Sequence, residues 1–240
     1  MKRINKSSEL LWLFGIIFVA LGVSLCSKAN LGVSMIAAPA FVVQEAAVKL
    51  LPNLSVGVTE YIIQGLILII LCTVIRKFNW IYLLAFAVAV IYGYTLDLFM
   101  WLLSDINITQ TYVRWIMLII GDLITGFGVA CFFNTYMPLQ VYELFVAEIS
   151  SVFRKNISKL KSIFDISLLA ISVILAFTLF FDAGSFDWSK IYMCSFHSIG
   201  LGTIVTTIIN SPIIAISSKL IDRIFNNTAL FPKMEKILKR

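Results

Sequence analysis

Apolar residues run almost unbroken along this chain and give way only at a few polar islands. A helix needs about 20 apolar residues to cross a bilayer. Runs of that order lie at about 9–27, 57–75, 80–103, 112–133, 162–181 and 191–217. Two shorter stretches, about 33–51 and 137–153, each contain a proline (Pro39, Pro138) and carboxylates (Glu45; Glu143 and Glu148). They sit at the lower limit for crossing, and their polar content argues against full exposure to lipid. The period-two alternation of a membrane β-barrel is absent, and the runs are too long for barrel strands. The pattern predicts an all-α fold: a polytopic membrane helix bundle with six long spans plus two short or re-entrant helices, the alternative being eight spans.

The order of these runs repeats. ALGVSLCSKANLGVS (20–34) lies over GFGVACFFNTYMPLQ (126–140), which sets Gly22 on Gly128, Lys28 on Asn134 and Asn30 on Tyr136. Further on, Phe78-Asn79-Trp80 lies over Phe186-Asp187-Trp188. The chain is read as two homologous membrane repeats, 1–106 and 107–240. If both short stretches dip in and return, there are six spans and the halves are inverted. If both cross, there are eight and the halves are parallel. Arg76 and Lys77 sit between closely spaced spans, where basic residues mark the cytoplasmic side. That pair favours six. Both topologies place the two termini and residues 154–161 in the cytoplasm.

Composition agrees with the pattern: 60% of residues are hydrophobic, 13% are charged and the mean hydropathy is +0.96. A soluble domain carries about 25% charge. The net charge of +6 does not indicate a nucleic-acid partner, because the basic residues flank apolar runs, where they meet anionic lipid headgroups. The N-terminal MKRINK and the apolar run after it resemble a signal peptide but lack a small-residue cleavage motif, so the first run is expected to be a retained span. The four cysteines, Cys26, Cys72, Cys131 and Cys194, lie in apolar runs without metal-ligand spacing. They are expected to be packing residues. No metal or cofactor motif is present, and no phosphate-binding loop.

The stretch Ala20-Leu21-Gly22-Val23, followed by Ala29, Leu31-Gly32 and Ser34, resembles the YczE/YitT-like family of bacterial integral membrane proteins. Gly202-Thr203 and Pro212 fit the same pattern; Met35 stands where proline is usual, and Ile36-Ala37 replaces a Trp-Asp pair. The resemblance implies an all-α protein of the bacterial cytoplasmic membrane. It carries over no catalytic residue.

Several polar residues sit where lipid would not tolerate them alone. Lys28 and Asn30 end the first span, and Asn134 and Tyr136 end its counterpart. Broken helices at matching places in two halves point to a transporter site, and helix N-termini beginning near Gly32 and Pro138 would favour an anionic or zwitterionic solute. Lys28 can equally snorkel to the interface. Glu60 and Gln64 share a helix face at i, i+4 spacing, and Lys161 and Asp165 fall at the equivalent place in the second half. These pairs are expected at the interface between halves, the alternative being that Glu60 is solvated at the membrane surface. Asp122 lies mid-span, where an ionised carboxylate costs roughly 2.5–3.5 kcal/mol on insertion scales. It is a candidate ion-coupling residue together with Glu143 and Asp165; the alternative for Asp122 is a structural hydrogen-bond role, and for Glu143 a stretch lying on the membrane surface with its carboxylates in water. Asp97 and His197 are weaker candidates. The tryptophans, Trp12 among them, are expected as interface anchors.

The leading functional expectation is a small-solute secondary transporter, coupled to a proton or Na⁺, with its site between the two halves. The alternative is a non-catalytic membrane scaffold or a regulatory partner of another protein. No enzyme motif is seen. The expected partners are the lipid bilayer and a small molecule or ion. A homodimer is left open.

Overall fold

The computed structural model describes residues 4–180, 196, 198–228 and 230. Among the described residues eight helices follow one another: α1 (Ser8–Ala29), α2 (Ala38–Ala47), α3 (Val56–Ile75), α4 (Trp80–Leu102), α5 (Thr111–Phe133), α6 (Val141–Phe153), α7 (Ile157–Phe180) and α8 (Leu201–Ile224). All but α2 and α6 are long and apolar enough to cross a membrane. At a rise of 1.5 Å per residue, α2 and α6 reach only about 15 and about 20 Å, short of the roughly 30 Å hydrocarbon core. The chain is an all-α integral membrane protein with six long spans and two short helices. The eight-span alternative is set aside because α2 has 10 residues and α6 has 13.

Helix ends follow local chemistry. The Ser7 hydroxyl accepts from Leu10 N at 3.1 Å, Ser55 from Val58 N at 3.2 Å, and the Asn79 side chain from Ile81 N at 3.1 Å. Each satisfies an otherwise orphaned first-turn donor. Asn30, Arg76 and Arg154 end their helices in the left-handed region, with φ of 52, 55 and 51°. Asp97 of α4 accepts from Gly57 N at 2.8 Å and from the Ser55 hydroxyl at 2.6 Å. It therefore caps α3 from a neighbouring helix.

Two antiparallel pairs form the frame. In α1–α5, small residues let the backbones meet: a Cβ on Gly22 would strike Thr125 and the Gly121 carbonyl, and one on Gly128 would stand 3.0 Å from the Gly15 carbonyl. Such seams are how membrane helices gain packing where lipid offers no hydrophobic drive. In α3–α4, Gly57 and Gly93 make the same kind of approach. α8 lies parallel to α5. Gly202 packs at Leu118, Ile213 at Gly126, and Ser218 at Asn134. The outward faces carry large apolar residues, among them Ile69 and Ile208, as lipid requires.

The α1–α5 pairing fixes the two ends of the bundle. Ser8 and Trp12 lie beside Tyr136 and Pro138, and Cys26 beside Leu118. At the first end the backbone forms a small parallel sheet that the hydrophobic pattern did not predict: β1 (Ile4–Ser7) pairs with β2 (Phe225–Thr228) in the register Ile4↔Phe225 through Ser7↔Thr228. Both short helices are re-entrant. After α5 the chain stands at this first end, passes inward to Gln140, and returns along α6 to Arg154. The segment after α1 does the reverse from the other end, where Lys49 lies 5.1 Å from the ring centre of Phe180 at the end of α7.

Candidate functional site

The two inward-turning segments meet. A small cavity of ≈20 Å³ lies between Ser34, Ile36 and Ala37, which lead into α2, and Gln140, Tyr142 and Glu143, which open α6. Val19 and Val23 of α1, Glu60 of α3, Tyr92 of α4, and Thr125 and Val129 of α5 complete the wall. Val19 and Tyr92 come from the middle turns of spans, so the cavity lies at mid-depth. Its size suits about one water molecule. Interrupted backbone at membrane depth is tolerated where it is buried in protein or lines a cavity, and both conditions hold here.

Two carboxylates, Glu60 and Glu143, stand in this otherwise mostly apolar wall. Glu60 is 1% exposed and Glu143 3% exposed. The Tyr142 hydroxyl donates to Glu60 Oε2 at 2.8 Å, while Glu143 Oε2 has no hydrogen-bond partner among the described residues. Burial pushes the Glu143 carboxyl above its ordinary range, and the nearby Lys161 charge opposes that push. One turn beyond Glu60, the Gln64 amide is buried with neither of its polar atoms paired among the described residues.

Behind Glu143 stand Lys161 and Asp165 of α7, an i, i+4 ion pair at 3.5 Å with side-chain exposures of 9% and 1%. Both also face a crevice between α7 and α8. Lys161 lines one part of ≈200 Å³ with Ser158, Ser211 and Ser218, and Asp165 lines an adjoining part of ≈250 Å³ with Ser162 and Thr207. Ser211 borders both parts. Three carboxylates and one ammonium thus extend from the central cavity to the crevice. Among the described residues, no three His, Cys, Asp or Glu side chains stand close enough to hold a metal ion.

The expected site residues divide into those this arrangement unites and those it does not. Glu60, Gln64, Glu143 and Asp165 are buried together with Lys161 around the junction of α3, α6 and α7. Lys28 and Asn134 do not meet. Antiparallel packing of α1 and α5 puts their C-terminal ends at opposite ends of the bundle. Lys28 donates to the Ser104 carbonyl at 3.3 Å, and Asn134 donates to Ser218 Oγ at 2.7 Å. Asn30 is an exposed helix terminator. The Tyr136 hydroxyl binds the Glu9 carboxylate at the first end. Asp122 is fully buried with neither oxygen hydrogen-bonded among the described residues. Its stripe, Leu118–Asp122–Gly126, faces α8 level with Thr206 and Asn210, whereas Thr125 and Val129 face the cavity. His197, Cys194 and the second Phe-Asp-Trp lie outside the described residues.

The sequence pattern does not single out Tyr92, Tyr142, Gln140 or Thr125, and it marks Ser34 only through the family resemblance of residues 20–34. Tyr142 adjoins Glu143, and that proximity is the one signal for it. Trp12 does more than anchor an interface: its Nε1 donates to the Pro138 carbonyl at 2.9 Å and ties the inward-turning segment to α1.

No curated protein and no solved structure matches the chain. A family model does match, over residues 6–219, and the chain belongs to that family of unknown function, DUF6198.

Proposed function

We propose that this membrane protein is a small-solute secondary transporter coupled to protons, with its proton-coupling site between the two inward-turning helices. The observation that carries the reading is the convergence of α2 and α6 on a mid-depth cavity walled by Glu60 and Glu143. Intramembrane carboxylates are expensive and mark ion or proton pathways, and short interrupted helices meeting at the midplane are the architecture of carriers. The proposed proton-coupling site centres on Glu60 and Glu143 instead of on Lys28, the expected place of an anionic or zwitterionic solute. Carboxylates spaced in sequence from Asp165 through Glu143 to Glu60 suit a proton handed on stepwise better than a metal ion held by several ligands at once.

The same reading includes two inverted repeats, a bacterial cytoplasmic membrane and the YczE/YitT-like resemblance of residues 20–34. Arg76, Arg154, Lys155, Lys159, Lys219 and Arg223 gather at the end where the chain starts, which makes that end cytoplasmic by the positive-inside rule. The role is non-enzymatic.

The test is flux. Purified protein in liposomes with an imposed pH gradient is screened for uptake of solute classes, using an internal pH dye. Solute-dependent proton movement that Glu60→Gln and Glu143→Gln abolish is the expected result. Absence of flux for every class, under both pH and Na⁺ gradients, would transfer the protein to the scaffold or regulatory class.

A further inference from the structure

The crevice between α7 and α8 has a chemical signature of its own. Its wall combines one ammonium, one carboxylate and hydroxyls from Ser158, Ser162, Thr207 and Ser211 with apolar side chains, Ile166 and Ile208 at the lipid-facing rim among them. Asp165 is 1% exposed, and neither of its oxygens makes a hydrogen bond among the described residues. Its contact with Lys161 spans 3.5 Å, longer than the roughly 2.7–2.9 Å of a close charge-assisted bond. A buried carboxylate in this condition can gain further bonds from an added donor. Each part of the crevice is several times the roughly 30 Å³ share of one water in the liquid.

We infer that the α7–α8 crevice is the solute site, and that it takes a small zwitterion whose ammonium bonds Asp165 and whose oxyanion bonds Lys161. The inference rests on the carrier reading and names its substrate class. A zwitterion brings one charge of each sign, so it can separate the Lys161–Asp165 pair and satisfy both members without adding net charge at membrane depth. A solute with one charge would leave one member buried and uncompensated, which is costly. The hydroxyls complete the solute's remaining hydrogen bonds. Because Lys161 also acts on Glu143, solute bound to Lys161 changes the charge seen by the inner carboxylates, which links solute occupancy to proton occupancy.

An amino acid and a phosphatidylethanolamine headgroup share this chemistry, and the experiment separates them. The protein is reconstituted in nanodiscs of phosphatidylcholine and phosphatidylglycerol, and thermal unfolding is followed on adding neutral α-amino acids, acetate or methylammonium. Expected is a saturable rise in unfolding temperature with at least one amino acid and none with the single-charge controls. Asp165→Asn and the bulky Ser211→Trp should each weaken that binding at least tenfold. Should Asp165→Asn not fold, the double exchange Lys161→Asp with Asp165→Lys keeps the pair and reports instead. A rise seen only when phosphatidylethanolamine is included assigns the site to the headgroup and overturns the solute proposal. No rise with any zwitterion, or one indifferent to Ser211→Trp, also overturns it. Binding is read apart from flux: zwitterion binding without flux keeps this site and removes the carrier, whereas flux of another solute without zwitterion binding does the opposite.

Discussion

Tyr142 and Glu60 are hydrogen-bonded at 2.8 Å across the junction of α6 and α3, and both are buried. The bond links a short re-entrant helix to a long span at the level of the central cavity. Tyr142→Phe removes the donor and leaves a buried acceptor. The expected cost is about 1–3 kcal/mol, read as a lowered unfolding temperature in detergent. Glu60→Gln, which keeps a hydrogen-bonding group there, should cost less stability while removing proton coupling.

Lys161 opposes the upward push that burial exerts on Glu143. Lys161→Met takes away that opposition, so Glu143 should hold its proton to higher pH. An infrared titration of the protonated carboxyl band, with Glu143→Gln as the assignment control, should show the Glu143 component shifted toward alkaline pH in the variant. An unchanged or acid-shifted component would mean that Lys161 does not act on Glu143.

Gly22 and Gly128 hold the α1–α5 seam closed. Gly22→Leu forces the helices apart and should prevent assembly of a stable bundle, seen as aggregation in size-exclusion chromatography. Gly65→Ala is the control. The nearest atom to its added Cβ is the end of the Phe86 ring at 3.2 Å, a flexible neighbour that can yield, so the protein should remain monodisperse.

Asp97 caps α3 through Gly57 N and the Ser55 hydroxyl. Asp97→Ala should destabilise by about 1–3 kcal/mol, the cost of leaving the buried Gly57 N–H without its partner. If transport is measurable, its substrate selectivity should be unaffected, because Asp97 lies outside the cavity wall.

Arg76 and Arg154 lie at one end of the bundle, Lys49 and Asp105 at the other. In a cysteine-free background, single cysteines at positions 76 and 154 should react with a membrane-impermeant maleimide only after the cell is opened. Those at 49 and 105 should react in intact cells. Labelling of position 76 from outside would overturn the assigned orientation.

Much of this arrangement was legible in the pattern of the chain. Six long apolar runs and two short proline-bearing ones map onto six spans and two re-entrant helices, because bilayer thickness limits helix length directly. For Glu60, Gln64, Lys161 and Asp165 the i, i+4 spacing assigns each pair to one helix face, but spacing alone does not say whether that face meets protein or solvent. The expectation that Lys28 would meet Asn134 failed for a definite reason. A one-dimensional alignment equates the C-terminal ends of α1 and α5, whereas antiparallel packing sends those ends apart. What converges instead lies a few residues downstream, at Ser34–Ala37 and Gln140–Glu143. Tyr142, Tyr92 and Trp12 act on partners from other helices, and no local periodicity encodes such pairings.

The β1–β2 pairing has a consequence for biosynthesis. Helices α1 through α8 all lie between its two strands, so β2 is made only after α8. The first strand must therefore stay unpaired while those helices are synthesised, and the sheet can close only over spans that already exist.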